Sequence, residues 1–310
     1  MYKSLESVKN QTFKNFEAII INDGSTDNSL EIIEKFVKEN ENFILINQKN
    51  KGLSKARNVG LEISRGDYIA FLDSDDYIES NFLKLLYETS QKKNSDITCC
   101  NFCFYSLEKN SKFYMPFYNS FNNFYGEYTN QKALKKLILD ISSHYYIWNK
   151  LYKRSLFFDN NIRFYDMYFE DMATCLKLFY YSKKIVVLTK TLYNYTVRST
   201  SILGNINSDK INDLIVALGI IRNFLERKNI YKKYKNYLWI YSQKTKIVCL
   251  QFICKMHSNS SNFKDFKKNI YSAISSIENF VSNNYVPDYS KEIPELISKI
   301  VQPKKTHKLV

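Results

Sequence analysis

The chain has little of the residues that interrupt or cross-link small folds. Its 310 residues include seven glycines, four prolines and three histidines, and the histidines are too dispersed to form a ligand motif. The six cysteines lack the paired spacing of a zinc site. No apolar run approaches the ~20 residues that span a bilayer, which argues against a transmembrane helix. A composition of 45% hydrophobic and 25% charged residues also excludes wholesale disorder.

The first residues, Met1–Glu6, have no apolar core of the signal-peptide type. We therefore expect a cytoplasmic protein whose cysteines are reduced and mostly buried. The length suits two structural units, or one catalytic domain with an appendage.

Positive charge is in excess, but not in the first third of the chain. The formal net charge is +14, yet Met1–Phe104 contains 13 Lys and Arg against 16 Asp and Glu. Four of the seven glycines, Gly24, Gly52, Gly60 and Gly66, lie in this mildly acidic segment. Glycine beside acidic residues indicates tight turns around a polar site.

Short apolar runs alternate with helix-like stretches over the first hundred residues. Glu17–Asn22, Phe43–Ile46, Tyr68–Leu72 and Ile97–Phe104 are predicted strands. This alternation predicts an α/β fold with a mainly parallel sheet and helices on both faces. Ligands of such sheets bind beyond the carboxyl ends of the strands.

The rest of the chain becomes progressively helical. Periodicity is lost over Tyr105–Asn130, where we expect a long loop or irregular strands that could form a lid. A strand is predicted at Lys184–Leu188. The predicted helices are Gln131–Ile141, Ile147–Leu156, Glu170–Tyr181, a stripe over Ile211–Leu225, Tyr234–Met256 and Phe263–Val281. We therefore expect a sheet domain over residues 1–205 and a basic helical region over 206–310.

Acidic and glycine-containing clusters follow three of the predicted strands. Asp73-Ser74-Asp75-Asp76 is the strongest, because two carboxylates one residue apart can share Mg²⁺ or Mn²⁺ with substrate phosphates. An acidic turn that caps the next helix is the alternative. Asp23 could accept hydrogen bonds from a nucleobase or ribose, or could be an ordinary Asp-Gly turn residue.

The segment Asn50–Gly60 has features of a site that binds phosphate or a nucleotide. Gly52 allows close backbone approach, Ser54 is a candidate N-cap, and Lys55 and Arg57 place positive charge near the start of a helix. A solvated helix face would explain the same charges, and this is the reading we favour for Lys55.

Three motifs carry a family resemblance: Asn22–Asp27, Asn50–Gly60 and Gly66–Asp76. In order and spacing they resemble the family-2 glycosyltransferases of the bacterial surface-glycan type. The resemblance continues through Trp148–Tyr152 and Phe169–Asp171 and fades after about residue 205. It implies the GT-A fold, a Rossmann-like sheet domain that binds a nucleotide-diphospho-sugar.

The resemblance also implies roles for individual residues. Asp23 would bind the nucleotide base, and Arg57 would lie beside the nucleotide. Asp73 and Asp75 would form the family's Asp-X-Asp element, with Asp73 nearer the ribose. Both carboxylates are candidate ligands of a Mn²⁺ or Mg²⁺ ion, and Asp75 would contact the ion that bridges the diphosphate. Asp171 matches the position of the general base in inverting members.

Three further residues are candidate contacts of the diphosphate or acceptor: Glu170, Arg198 and Trp148. The alternative to a functional role for Glu170 and Asp171 is that their charges complement the dipole of the helix that they begin. Arg198 could clamp the diphosphate from a closing loop. Trp148 could stack on an acceptor sugar, and a core position is an equal alternative.

The start of the chain departs from the family pattern. Relatives begin with a strand that precedes the helix ending near Gln11-Thr12-Phe13, whereas this chain begins inside that helix. We expect the family's first strand to be lacking. Either the start codon is misassigned, which we favour, or this version binds its donor poorly.

The resulting prediction is an inverting, metal-dependent glycosyltransferase. Its donor would be a nucleotide sugar, with a UDP-sugar favoured, and its acceptor a surface glycan or lipid-linked chain. The basic C-terminal helices could contact the anionic inner face of the plasma membrane. The alternatives are a truncated non-catalytic homologue that binds a glycan or partner, and a basic nucleic-acid-binding protein. The absence of helix-turn-helix, zinc and RNP-type motifs argues against nucleic acid as a partner.

Overall fold

The structure is a computed structural model. It describes residues 1–114, 125–139, 145–197 and 208–257, with Tyr271 and Ser275. The described strands are β1 (Ala18–Asp23), β2 (Phe43–Gln48), β3 (Tyr68–Ala70), β4 (Tyr77–Ile78), β5 (Ile97–Ser106), β6 (Ser111–Phe113), β7 (Gly126–Thr129), β8 (Lys150–Lys153) and β9 (Lys184–Val197). The described helices are α1 (Tyr2–Lys9), α2 (Ser29–Lys38), α3 (Leu53–Ile63), α4 (Phe82–Lys93), α5 (Asn130–Leu139), α6 (Arg154–Phe158), α7 (Glu170–Tyr181), α8 (Ser208–Arg227) and α9 (Tyr231–His257).

The strand–helix alternation predicted for the first hundred residues is confirmed. Each of the four predicted strands is present, and helices follow β1, β2 and β4. Helix α2 forms because its apolar residues recur at helical spacing, and Ile33 and Phe36 are buried against Phe43 of β2. Burial of this stripe, rather than intrinsic propensity, stabilises so short a helix.

The strands form two sheets rather than one. Strands β1 and β2 form a parallel pair. The second sheet has the order β3-β8-β5-β9-β4, with β6 beside β5 and β7 beside β9. At the beginnings of β1 and β3, the Glu17 carboxylate accepts hydrogen bonds from the backbone N–H groups of Arg65 and Gly66, which links the two sheets.

The larger sheet is mixed, which corrects the expected mainly parallel arrangement. Strands β5 and β9 are parallel, whereas β8 lies antiparallel between β3 and β5. The helix predicted over Ile147–Leu156 is therefore wrong: its centre is β8, and only Arg154–Phe158 is helical. Tertiary pairing on both edges outweighs the local helical pattern, because Lys150, Leu151 and Tyr152 are all buried there.

Other boundaries shift by smaller amounts. Strand β9 extends beyond the predicted Lys184–Leu188 as far as Val197. The segment Tyr105–Asn130, expected to be a long loop or irregular strands, contributes the short strands β6 and β7, and its residues 115–124 lie outside the described part. The helix predicted at Phe263–Val281 also falls almost wholly outside the described residues.

The C-terminal helices continue the core of the sheet domain. Helices α8 and α9 contribute Leu218, Ile221 and Leu238 to the same buried cluster as Ile138 of α5 and Phe179 of α7. Among the described residues, no helix is both long enough and apolar enough to cross a membrane. The boundary predicted near residue 205 lies in 198–207, outside the described residues, and stays a prediction.

Trp148 belongs to a buried aromatic cluster that includes side chains of β5 and β9. Trp148 is 4% exposed, and its ring stacks on those of Tyr193 at 4.2 Å and Tyr146 at 4.8 Å between centroids. Phe102 meets the same indole edge-on at 4.9 Å. The Trp148 side chain therefore occupies the core position that was the alternative to acceptor stacking.

Replacement of Trp148 by alanine should lower the free energy of unfolding by ~3–5 kcal/mol, because it leaves a large buried cavity. Trp239 is the matched control, since it is the second of the two tryptophans and is 53% exposed. Trp239→Ala should change stability by no more than about 0.5 kcal/mol. Urea unfolding of both variants makes the comparison, and equal costs would contradict the core assignment.

Candidate active site

The three polar clusters predicted at strand ends are brought together. Asp23, the last residue of β1, accepts hydrogen bonds from Gln48 Nε2 at 2.6 Å and from the backbone N–H groups of Lys51 and Gly52 at 2.9 and 2.8 Å. Partial burial opposes ionisation of Asp23, but these hydrogen bonds outweigh it and lower the pKa of the carboxyl. Within the part of the chain that the structure describes, these hydrogen bonds use three of roughly four lone-pair positions on the carboxylate and leave one on Oδ2.

Gly24 allows the first two clusters to meet. Its φ is +71°, and a Cβ at this position would lie 2.7 Å from the backbone nitrogen of Asn50. Any other residue would both strain the backbone and collide with a main-chain atom. The Asp-Gly pair therefore serves as a close-contact turn that carries the Asp23 carboxylate.

Helix α3 presents three polar side chains to one neighbouring segment. Ser54, Arg57 and Asn58 are spaced i, i+3 and i+4, which places them on one face of the helix. Ser54 Oγ donates to the Met167 carbonyl, so the expected capping role of Ser54 is wrong: Gly52 is the N-cap residue. Asn58 makes two 2.9 Å hydrogen bonds with the backbone of Phe164, one as donor and one as acceptor.

Arg57 is the central residue of this face. Its guanidinium donates to Asp73 Oδ1 at 2.8 Å and to the Glu170 carboxylate, and its side chain is only 10% exposed. Burial disfavours the charged form, but the Asp73 and Glu170 carboxylates outweigh this and raise the pKa of Arg57. Arg57 thus joins the end of β3 to the beginning of α7.

The Glu170–Asp171 pair begins helix α7. The preceding residue, Phe169, has φ +57°, an uncommon conformation for a residue with a bulky side chain. Burial raises the pKa of Glu170, although Arg57 opposes the shift. Burial and the neighbouring Glu170 charge raise the pKa of Asp171 to about 7. The raised pKa gives Asp171 a higher proton affinity than an ordinary aspartate.

The acidic turn after β3 has one buried and two accessible carboxylates. Asp75 is exposed, and the Asp73 side chain is 28% exposed. Asp76 is 2% exposed and accepts hydrogen bonds of 2.7 Å from Tyr193 Oη and from the Thr196 backbone N–H. Burial raises the pKa of Asp76 to about 7 despite these two hydrogen bonds.

Asp76 and Tyr193 are positioning residues that the motif alone did not reveal. Tyr193 Oη also accepts a 3.4 Å hydrogen bond from the Asp73 backbone N–H, so one phenol holds both ends of the turn. One feature of the sequence could have indicated this network. Asp73 and Asp75 suffice as the two carboxylate ligands of a metal ion, so the third carboxylate of the cluster, Asp76, needed another role.

A hard divalent cation is chemically compatible with this turn. Mg²⁺ is commonly held by one or two carboxylates and completes its shell with water and phosphate oxygens. Asp73 and Asp75 provide two such carboxylates on the accessible side of the turn. Within the described ranges, no group of three or more protein ligands converges, so substrate oxygens and water would have to supply the rest.

Two other predicted contacts have different outcomes. Lys55 pairs with Asp166 at 2.6 Å, and both side chains are at least half exposed, as expected for a solvated helix face. Arg198 lies outside the described residues, directly after the end of β9 at Val197. Its contact with the diphosphate stays a prediction.

Sequence comparison identifies the family. The model for glycosyl transferase family 2 matches residues 1–158, which include the Asp23, Arg57 and Asp73–Asp76 motifs. The chain belongs to glycosyl transferase family 2.

Curated relatives of this glycosyltransferase are similar over much of its length. A cholesterol galactosyltransferase of Borreliella burgdorferi is 31% identical over 242 residues, which are 75% of this chain and 65% of the relative. Glycosyltransferase GlyA of Streptococcus pneumoniae is 32% identical over 86% of this chain and 38% of its own length. Glycosyltransferase GlyG of the same species is 31% identical over 77% of this chain and 84% of its own length. The chain thus spans under two thirds of the first two relatives.

Solved structures confirm the fold of this glycosyltransferase. TarS residues 1–349 of S. aureus, in complex with UDP-GlcNAc, has a TM-score of 0.57 at 19% identity and covers 92% of this chain and 89% of its own. A Pyrobaculum calidifontis mannosyltransferase, in complex with GDP-Man and Mn²⁺, has a TM-score of 0.53 at 11% identity over 91% and 84% of the two chains. The predicted GT-A fold with a helical C-terminal region is therefore correct.

Tyr193→Phe should lower the free energy of unfolding by about 1–3 kcal/mol, because it removes the only side-chain donor to the buried Asp76 that the structure describes. Urea unfolding measures this cost. Tyr2→Phe removes a hydroxyl from a ring that is 61% exposed and should have no effect beyond about 0.5 kcal/mol. Wild-type stability of the Tyr193→Phe enzyme would show that the phenol does not hold the turn.

Proposed function

We propose that this enzyme transfers a sugar from a UDP-sugar to a hydroxyl group of a surface glycan or lipid-linked acceptor, with inversion and with Mn²⁺ or Mg²⁺. The observation that carries the proposal is the buried Arg57 linkage between the Asp73–Asp76 turn and the Glu170–Asp171 pair. This linkage connects the accessible acidic turn to the start of α7, which carries Asp171, the carboxyl of raised pKa.

The donor assignment is supported by the polar cluster beyond β1 and β2. Asp23 Oδ2 retains an acceptor position for a nucleobase N–H, and its other hydrogen bonds fix the loop that begins α3. The two structural neighbours were solved with UDP-GlcNAc and with GDP-Man, so this fold accommodates nucleotide sugars in those proteins. The proposed pocket therefore lies between Asp23 and the Asp73–Asp76 turn.

Asp73 and Asp75 would hold the cation, which would neutralise negative charge on the departing nucleoside diphosphate. The Mn²⁺ in the mannosyltransferase complex supports this choice of ion. The Arg57 charge, held between Asp73 and Glu170, limits mutual repulsion among the carboxylates before the donor binds.

Asp171 would act as the general base. Its carboxylate would take the proton of the acceptor hydroxyl while that oxygen bonds to the anomeric carbon and the bond from this carbon to the diphosphate oxygen breaks. One displacement of this kind inverts the anomeric configuration. A base with a pKa near 7 suits the task, because it is largely ionised at cytoplasmic pH and still binds a proton readily.

The acceptor and location are proposed from the relatives and the charge. One curated relative is named for transfer to cholesterol, which favours a lipid-linked acceptor here. The basic C-terminal helices favour action at the anionic cytoplasmic face of the membrane.

The test is hydrolysis and transfer of UDP-sugars in the presence of Mn²⁺. Asp171→Asn should lower kcat by ~10²–10⁴-fold while donor binding persists, because only the base is lost. Asp75→Asn should abolish the response to metal. Asp67→Asn is the matched control, since it changes an exposed carboxylate at the other end of β3 and should retain wild-type rates.

A pH profile separates the base from a structural role. The wild-type kcat/KM should rise with pH through about 7, because the ionised form of Asp171 is the active one. The residual activity of Asp171→Asn should lack this rise. Equal inactivity of the wild type and both variants, with donor binding intact, would instead identify a non-catalytic homologue.

A further inference from the structure

Helix α9 exposes large apolar side chains next to lysines. Trp239 is 53% exposed, Ile240 43% and Ile247 57%. Lys232 and Lys235 are exposed about one to two turns before Trp239 and Ile240. At 100° per residue these five side chains lie on one side of α9. We call this surface, consisting of Lys232, Lys235, Trp239, Ile240 and Ile247, the α9 stripe.

Helix α9 and the neighbouring helix α5 carry charge of one sign. Helix α9 contains six lysines and helix α5 contains three, and neither contains Asp or Glu. The two helices pack together, and Lys135 of α5 lies 4.6 Å from the centre of the Tyr237 ring of α9. The adjacent α8 has three carboxylates: Asp213 accepts from the Tyr168 backbone, Glu226 pairs with Arg222, and Asp209 is exposed in the first turn of that helix.

The α9 stripe lies behind the catalytic helix. Tyr241 is on the opposite side of α9 from Trp239, and its hydroxyl lies 3.9 Å from Met172 Sδ. Met172 follows Asp171 in the first turn of α7. The stripe is therefore about one helix diameter, ~10–12 Å, from the turn that carries the proposed base.

We propose that the α9 stripe docks on the surface of an anionic lipid bilayer. Lysines and a tryptophan beside aliphatic side chains match the two layers of such a surface, because lysine pairs with lipid phosphates and the indole lies at the boundary of the acyl chains. The uniform positive charge of α5 and α9 selects an anionic partner. The proposal deepens the membrane-facing role proposed above and rests on it, since docking here would bring the protein to the surface that carries lipid-linked acceptors.

Vesicle flotation tests the docking surface with the full chain. The wild type should float with phosphatidylcholine vesicles that contain phosphatidylglycerol and not with phosphatidylcholine alone. The double variant Trp239→Ala/Ile247→Ser should bind at least about tenfold more weakly, because it removes most of the exposed apolar area. Leu107→Ser is the matched control, because Leu107 is 50% exposed in the turn between β5 and β6, and it should bind like the wild type.

Salt separates the basic and apolar contributions. Between about 0.1 M and about 1 M salt the screening length falls from ~10 to ~3 Å, so wild-type binding should weaken. Lys232→Gln/Lys235→Gln should weaken binding at low salt and reduce this salt dependence.

Three outcomes would overturn the proposal. The wild type could fail to bind anionic vesicles, or Trp239→Ala/Ile247→Ser could bind them as well as the wild type. Light scattering could also show that the wild type is a dimer and that the double variant is not. If vesicle binding were unchanged in that variant, the stripe would be a protein interface. Hydrolysis of the UDP-sugar in free solution should be the same in wild type and double variant, so failure of docking remains distinct from failure of the proposed chemistry.

Discussion

The site depends on one buried cation shared by two carboxylates. Arg57 is nearly enclosed and contacts Asp73 after β3 and Glu170 at the start of α7. Burial of the Arg57 and Glu170 charges is unfavourable unless each has a partner, and the partly exposed Asp73 provides Arg57 with a second carboxylate. Because Arg57 belongs to α3, whose N-terminal loop is held by Asp23, the constraint reaches every motif of the site.

The carboxylates of the site lie in different environments. Asp23 is kept ionised by donors from the loop after β2, whereas Asp171 has its proton affinity raised by burial and by Glu170. Asp75 stays exposed, and the turn that carries it is held by the hydrogen bond that Tyr193 donates to the buried Asp76. In the proposed reaction Asp23 and Asp75 would serve the donor and the metal and Asp171 would serve the acceptor, whereas Asp76 fixes the turn. Environment, rather than residue type, assigns these roles.

The sequence predicted where the motifs lie in the fold, because each one follows a strand or begins a helix, which short-range sequence patterns encode directly. Arg57, Asp73 and Glu170 contact one another, and Asp23 contacts the loop that precedes the helix of Arg57. The region around β8 was predicted wrongly, because its helical pattern is overridden by pairing with β3 and β5, which are distant in sequence. The partnership of Asp76 with Tyr193 spans 117 residues and has no local signal, so it required the fold.

A double-mutant cycle on Arg57 and Glu170 tests the central linkage most directly. Arg57→Met alone should cost ~3–5 kcal/mol of unfolding free energy, because it leaves Glu170 buried without its partner. Adding Glu170→Gln should recover part of that loss, with a coupling energy of about 1–3 kcal/mol by urea unfolding. Additive costs within about 0.5 kcal/mol would contradict the account, since they would mean that Arg57 does not hold helix α7 to the acidic turn.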